Sequence, residues 1–157
     1  MVRRMKTQAA PYITTPLYYV NARPHLGHSY TTILADVLKR QNRQRGIQAT
    51  MLTGTDEHGE KIAKIAGEQG VTPQALADEV AADYKATWEK KEISFDIFYR
   101  TTQEHHKKSV QHALSFLKEK GEIEFREYEG QYCVGCERFL TASELTPAGL
   151  CPDHQRF

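Results

Sequence analysis

The order of apolar runs along the chain constrains its fold class before any motif is weighed. Residues 11–17 read as a buried strand, and Leu26, Tyr30, Ile33, Leu34, Val37 and Leu38 then recur at helical spacing until Gly46 stops the helix. A second apolar run, ATMLT at 49–53, completes a βαβ unit. A right-handed crossover brings the ends of two such parallel strands to one edge, so the loops that follow them open side by side. The expectation is an α/β fold on a parallel sheet.

The remaining pattern extends that unit. A helix from about Glu60 to Gln69 breaks at Gly70, and Thr72-Pro73 supplies an N-cap and first-position proline for another. On that helix Leu76, Val80, Tyr84 and Trp88 form a core stripe, with Ala77 and Ala81 alongside. The run IFYRTT (97–102) reads as a third strand, and Thr101 with Glu104 offers a capping box for a helix carrying Val110, Leu114 and Leu117 that stops at Gly121. Beyond it, EIEFREYEGQYCV (122–134) alternates like an antiparallel hairpin turning at Glu129-Gly130. The expected division is an extension at 1–10, a first region at 11–121 and a smaller one at 122–157.

The first loop carries the pattern His25-Leu26-Gly27-His28 at a helix start. There the first helical amides are expected to point outward unpaired, at the positive end of the helix dipole, which suits a phosphate. Both imidazoles share one face, and Gly27 removes a Cβ that would hold a base or ribose away, so the site suits a nucleotide. The second loop, GTDEHGEK (54–61), holds Asp56, Glu57 and His58, for which a merely solvated loop is the plain alternative. Lys107 and Lys108 lie among His105, His106 and His112 on a helix face that is either solvated or in contact with a phosphate backbone.

All three cysteines lie late in the chain, as Cys133-x-x-Cys136 and, after fourteen intervening residues, Cys151-x-x-His154. An odd number of thiols cannot pair off, and two knuckles of two ligands each match a closed tetrahedral zinc site, structural because no position stays open for water. With 21 Lys and Arg against 20 Asp and Glu, the net charge of +1 gives no overall attraction to nucleic acid. No apolar window approaches a membrane span, and no signal-like segment is present, so a soluble, cytoplasmic protein is expected.

The words around these residues are more specific than the spacings. TTPLYYVNARPHLGH (14–28), GTDEHG (54–59), CVGCERF (133–139) and CPDH (151–154) resemble the methionyl-tRNA synthetases, a family of class I aminoacyl-tRNA synthetases bearing a HIGH signature. The resemblance implies the first half of a Rossmann-like nucleotide fold with a zinc-knuckle insertion. It implies that L-methionine is activated by ATP, with Mg2+, to methionyl-adenylate and transferred to tRNA(Met), with no DNA or membrane partner. His25 and His28 would then be the catalytic pair, stabilising the α-phosphorus. Tyr19, Gly27 and both histidines would bind ATP, while Leu17, Tyr19 and Asp56 would bind methionine, Asp56 through its ammonium group. No KMSKS lysine motif occurs, and Lys107-Lys108-Ser109 is not one, so an amino-terminal portion of a longer enzyme, inactive by itself, is expected. Two alternatives stand beside it: a small H-x-G-H nucleotidylyltransferase, and a non-catalytic zinc-knuckle module that binds RNA or protein.

Overall fold

A computed structural model describes residues 10–155, so nearly all of the expected extension at 1–10 lies outside the described residues. These residues form two compact units, one of residues up to 57 together with 74–101, the other of 58–73 with 102 onward. The first holds β1 (Tyr12–Tyr19), α1 (Leu26–Gln44), β2 (Thr50–Asp56), α3 (Pro73–Lys90) and β3 (Ile97–Arg100). The second holds α2 (Glu60–Gln69), α4 (Glu104–Glu119) and the hairpin β4 (Gln131–Cys133) and β5 (Arg138–Leu140).

The sheet of the first unit is parallel, in the order β1-β2-β3, as the βαβ pattern requires. β2 lies between the other two and is buried along most of its length. Gly54 is obligatory there, because a Cβ would sit 1.8 Å from the Tyr99 carbonyl oxygen on β3. Leu76, Val80, Tyr84 and Trp88 of α3 are all buried, so that stripe is core as expected.

Several elements depart from the sequence pattern. β1 alternates between exposed and buried positions, with Tyr12 and Tyr19 exposed, because among the described residues it has a partner on one edge only. β2 runs on to Asp56, so the acidic residue ends a strand rather than sitting in a loop. Its polar look misleads, since Thr53 and Thr55 are fully buried and bonded, Thr53 to the Thr15 hydroxyl at 2.8 Å and Thr55 to Glu57 at 2.5 Å. α1 inverts the usual rule: its buried positions are Ser29, Thr32, Ala35 and Asp36, and the stripe from Leu26 to Leu38 is exposed. Hydrogen bonds replace apolar burial on this face: Thr32 meets the Tyr18 hydroxyl at 2.8 Å, and Asp36 accepts from the Ser94 amide at 2.9 Å.

In the second unit α4 buries no residue, Val110, Leu114 and Leu117 included. The expected Thr101 capping box does not form. Gln103 is the N-cap, and the Thr101 hydroxyl instead accepts the Glu57 amide at 2.8 Å. The hairpin turns one knuckle later than expected. Residues 122–130 form no strand, Phe125 is exposed beneath the Lys118 ammonium, and β4 pairs antiparallel with β5 around Val134–Glu137. Two cysteines must bend around one point there, and that demand outweighs the alternation upstream.

Candidate active site and candidate metal centre

His25 is the N-cap residue of α1 and His28 its third residue, and the two form a capping box made of imidazoles. The Gly27 amide donates to His25 Nδ1 at 3.1 Å, and the His25 amide donates to His28 Nδ1 at 3.3 Å. The expectation of unpaired amides is therefore corrected, because the two rings take these N–H groups. Gly27 has a further reason within the chain itself. A Cβ there would lie 3.0 Å from His25 Cε1, so the missing side chain makes room for the neighbouring ring.

The rings stack with centroids 3.7 Å apart and 24° between planes. His28 is also flanked by Tyr18 at 4.7 Å and Tyr84 at 5.3 Å, and Tyr18 and Tyr84 stack on one another at 5.4 Å. The Tyr84 hydroxyl lies 2.9 Å from His28 Nδ1. Burial first, and then the electrostatic influence of the neighbouring His25 ring, hold the His28 pKa below the ordinary histidine value. Burial, with Tyr18 beside it, pushes the Tyr84 phenol up to about 12, so it stays protonated.

Leu17, Tyr19, His25, Gly27 and His28 all line one open depression of about 580 Å³. Tyr18 lines the same depression but is buried, whereas its neighbour Tyr19 is exposed. Asp56 is not part of that lining. It pairs in register with Tyr19 at the carboxyl ends of β2 and β1, and its Oδ1 accepts from the Thr101 hydroxyl at 3.3 Å. Ligands settle at such strand ends in parallel α/β sheets.

Glu57 does not solvate a loop. Its side chain is fully buried and accepts from Arg100 Nε at 2.6 Å and Nη2 at 2.9 Å, while Arg100 also reaches Asp78 at 2.5 Å. The Arg100 pKa is raised, first by Glu57, and Asp78 is lowered, first by Arg100. This network braces the strand end that carries Asp56. Sequence reasoning missed Tyr84 and Arg100, and no local signal marks either, because their partners lie 56 and 43 residues away.

In the second unit Cys133, Cys136, Cys151 and His154 come together with all four ligand atoms within 4.8 Å of one another. His154 Nδ1 lies 3.7, 3.3 and 3.7 Å from the sulfurs of Cys133, Cys136 and Cys151, and Cys136 lies 3.6 Å from Cys151. A tetrahedron with metal–sulfur bonds near 2.3 Å and a metal–nitrogen bond near 2.0 Å has edges of about 3.5–3.8 Å, close to these four separations, and with every pair within 4.8 Å the set can close on one ion. Burial, followed by the two neighbouring sulfurs, pushes the Cys136 thiol up to about 12, and a bound cation would reverse that. Gly135 is required, since a Cβ would lie 2.4 Å from the His154 ring.

A family model described as tRNA synthetases class I (M) matches residues 11–156. The chain belongs to that family.

Similar class I (M) proteins include a methionine–tRNA ligase of Streptomyces coelicolor, 50% identical over an alignment 155 residues long that covers 94% of this chain and 29% of the relative. Another, from Campylobacter jejuni, is 48% identical over 142 residues, covering 90% of this chain and 23% of the relative. Among solved structures, a Mycobacterium tuberculosis methionyl-tRNA synthetase bound by methionyl-adenylate superposes with a TM-score of 0.87 at 36% identity, covering 94% of this chain and 30% of that one. The chain thus spans less than a third of the length of these class I (M) relatives.

Proposed function

We propose that this chain is the amino-terminal part of the nucleotide fold of a methionine–tRNA ligase. The carboxylate of L-methionine attacks the α-phosphorus of ATP, pyrophosphate leaves, and the methionyl group of the resulting adenylate passes to the terminal ribose hydroxyl of tRNA(Met). The observation that carries this reading is the gathering of Leu17, Tyr19, His25, Gly27 and His28 around one depression, with Asp56 paired to Tyr19 across the strand ends.

Each side chain has a role its chemistry allows. The Nε2 sides of His25 and His28 meet phosphate oxygens of ATP, which is brought with Mg2+, and stabilise charge developing on the α-phosphate. Asp56 holds the ammonium group of methionine through a charge-assisted bond worth about 1.5–3 kcal/mol. Leu17 and Tyr19 wall an apolar slot that discriminates by only about 1–3 kcal/mol per methylene. No base is needed, because positioning and charge stabilisation supply the catalysis. The metal centre takes zinc in a structural role, which its closed donor set of three sulfurs and one nitrogen supports.

Melting the chain with ATP alone, ATP with L-methionine, and ATP with a nucleoside monophosphate precursor tests the reading. A further rise on adding L-methionine, lost in Asp56→Asn, is the expected result. A rise with the precursor alone would indicate a nucleotidylyltransferase, and no response to any ligand would indicate a binding module; either overturns the proposal.

A further inference from the structure

The H-x-G-H segment caps its own helix, and the cap dictates where its protons reside. A backbone N–H can only donate, and each imidazole Nδ1 offers a single in-plane lone pair. The Gly27 amide is 3.1 Å from His25 Nδ1 and the His25 amide is 3.3 Å from His28 Nδ1, so both Nδ1 atoms must be bare. We propose that the first turn of α1 locks both histidines as the neutral tautomer with its proton on Nε2, and that Tyr84 is the positioning residue holding the His28 ring. The motif then offers an anion two imidazole N–H donors in place of two helix amides.

The alternatives are excluded by contact. A proton on either Nδ1 would face a main-chain N–H head-on, and protonating both rings would stack two cations with centroids 3.7 Å apart. The Tyr84 oxygen lies 2.9 Å from His28 Nδ1 and 3.5 Å from Nε2 of the same ring. An oxygen that close to both nitrogens cannot lie along the in-plane lone pair of either. It rests against the face of the ring and leaves the Nδ1 lone pair to the His25 amide. Tyr84 is itself fully buried between Tyr18 and Trp88, so its hydroxyl is a fixed stop rather than a mobile partner.

The consequence for phosphate binding rests on the proposed function, but the tautomer does not, and the experiment separates them. Long-range proton–nitrogen correlation spectra of the metal-loaded chain with nitrogen-15 histidine, at about pH 8 where imidazoles are neutral, report the tautomer directly. Peaks are assigned by their loss in His25→Asn and His28→Asn. Both rings are expected to show a pyridine-type Nδ1 and a pyrrole-type Nε2; a protonated Nδ1, or averaging between tautomers, in either ring overturns the proposal. Tyr84→Phe should broaden the His28 ring signals and leave those of His25 sharp, and unchanged His28 signals would remove Tyr84 from its role.

Paired substitutions separate the cap from the donor. Asparagine places an acceptor where Nδ1 was, and glutamine places a donor where Nε2 was. His25→Asn and His28→Asn should keep the melting temperature and lose the ATP-induced rise, while the glutamine variants should melt lower and keep more of that rise. The reverse order of melting temperatures contradicts the proposal. If the tautomers are as stated and ATP has no effect on the unaltered chain, the tautomer stands and the nucleotide reading falls.

Discussion

The mouth of α1 and the cysteine knuckle are both built on histidine, and they use it in opposite ways. At the helix mouth the Nδ1 atoms of His25 and His28 accept main-chain N–H groups, which leaves Nε2 for a ligand. In the knuckle, His154 Nδ1 faces three sulfurs between 3.3 and 3.7 Å away. An imidazole whose Nδ1 the chain has satisfied is ready to donate to an anion, whereas one facing several thiols calls for a cation. The first arrangement is complete in chain atoms alone; the second gathers four donors that one ion would complete.

Chelation should therefore have the largest and most one-sided effect. Removing the metal, or substituting Cys151→Ser, is expected to unfold residues 131–155, because β4 and β5 are three-residue strands and the buried cluster is little more than Cys133, Leu140 and Cys151. Atomic absorption on chain purified without chelator should give about one zinc per molecule. The His25 and His28 tautomers should survive chelation, and their loss would break the contrast.

The two glycines beside these histidines sharpen it further. Gly135→Ala drives a Cβ to 2.4 Å from a rigid ring whose position the ion fixes, so metal affinity should fall about 10-fold or more in a chelator competition. Gly27→Ala meets His25 at 3.0 Å, where the ring can give by a few tenths of an ångström, and alanine favours a helix by about 1 kcal/mol over glycine. Melting should hardly change, while the His25 resonances shift. A large loss of stability would show the cap to be as inflexible as the knuckle.

How much of this was legible in the sequence follows the same division. The metal quartet lies within 22 residues with regular spacing, and the βαβ order and α3 stripe repeat locally, so each leaves a pattern in the chain. The α1 face does not, because Ser29, Thr32 and Asp36 are buried through bonds to Tyr18 and Ser94, which hydrophobic periodicity cannot register. Asp56 read as a loop residue since buried threonines disguised the end of β2. For Gly27 the sequence suggests room toward a ligand, and the structure adds a reason that spacing cannot show, the ring of His25 beside it.

The smallest effect concerns acid. The His28 pKa is lowered by burial and by His25, so in the unfolded chain this histidine takes up its proton first as pH falls. Its contribution to stability is intact above about pH 6.5 and is lost as pH falls through the lower, folded value. A His28 titration midpoint below 6.5 by NMR is expected, and a midpoint at or above it would contradict the cap.

The most direct measurement adds ATP to the nitrogen-15 histidine sample and follows each ring nitrogen. Nε2 of His25 and His28 should respond strongly while their Nδ1 atoms remain pyridine-type and bonded to the helix. A response confined to Nδ1 or to the Gly27 amide, or no response from either ring, would contradict this.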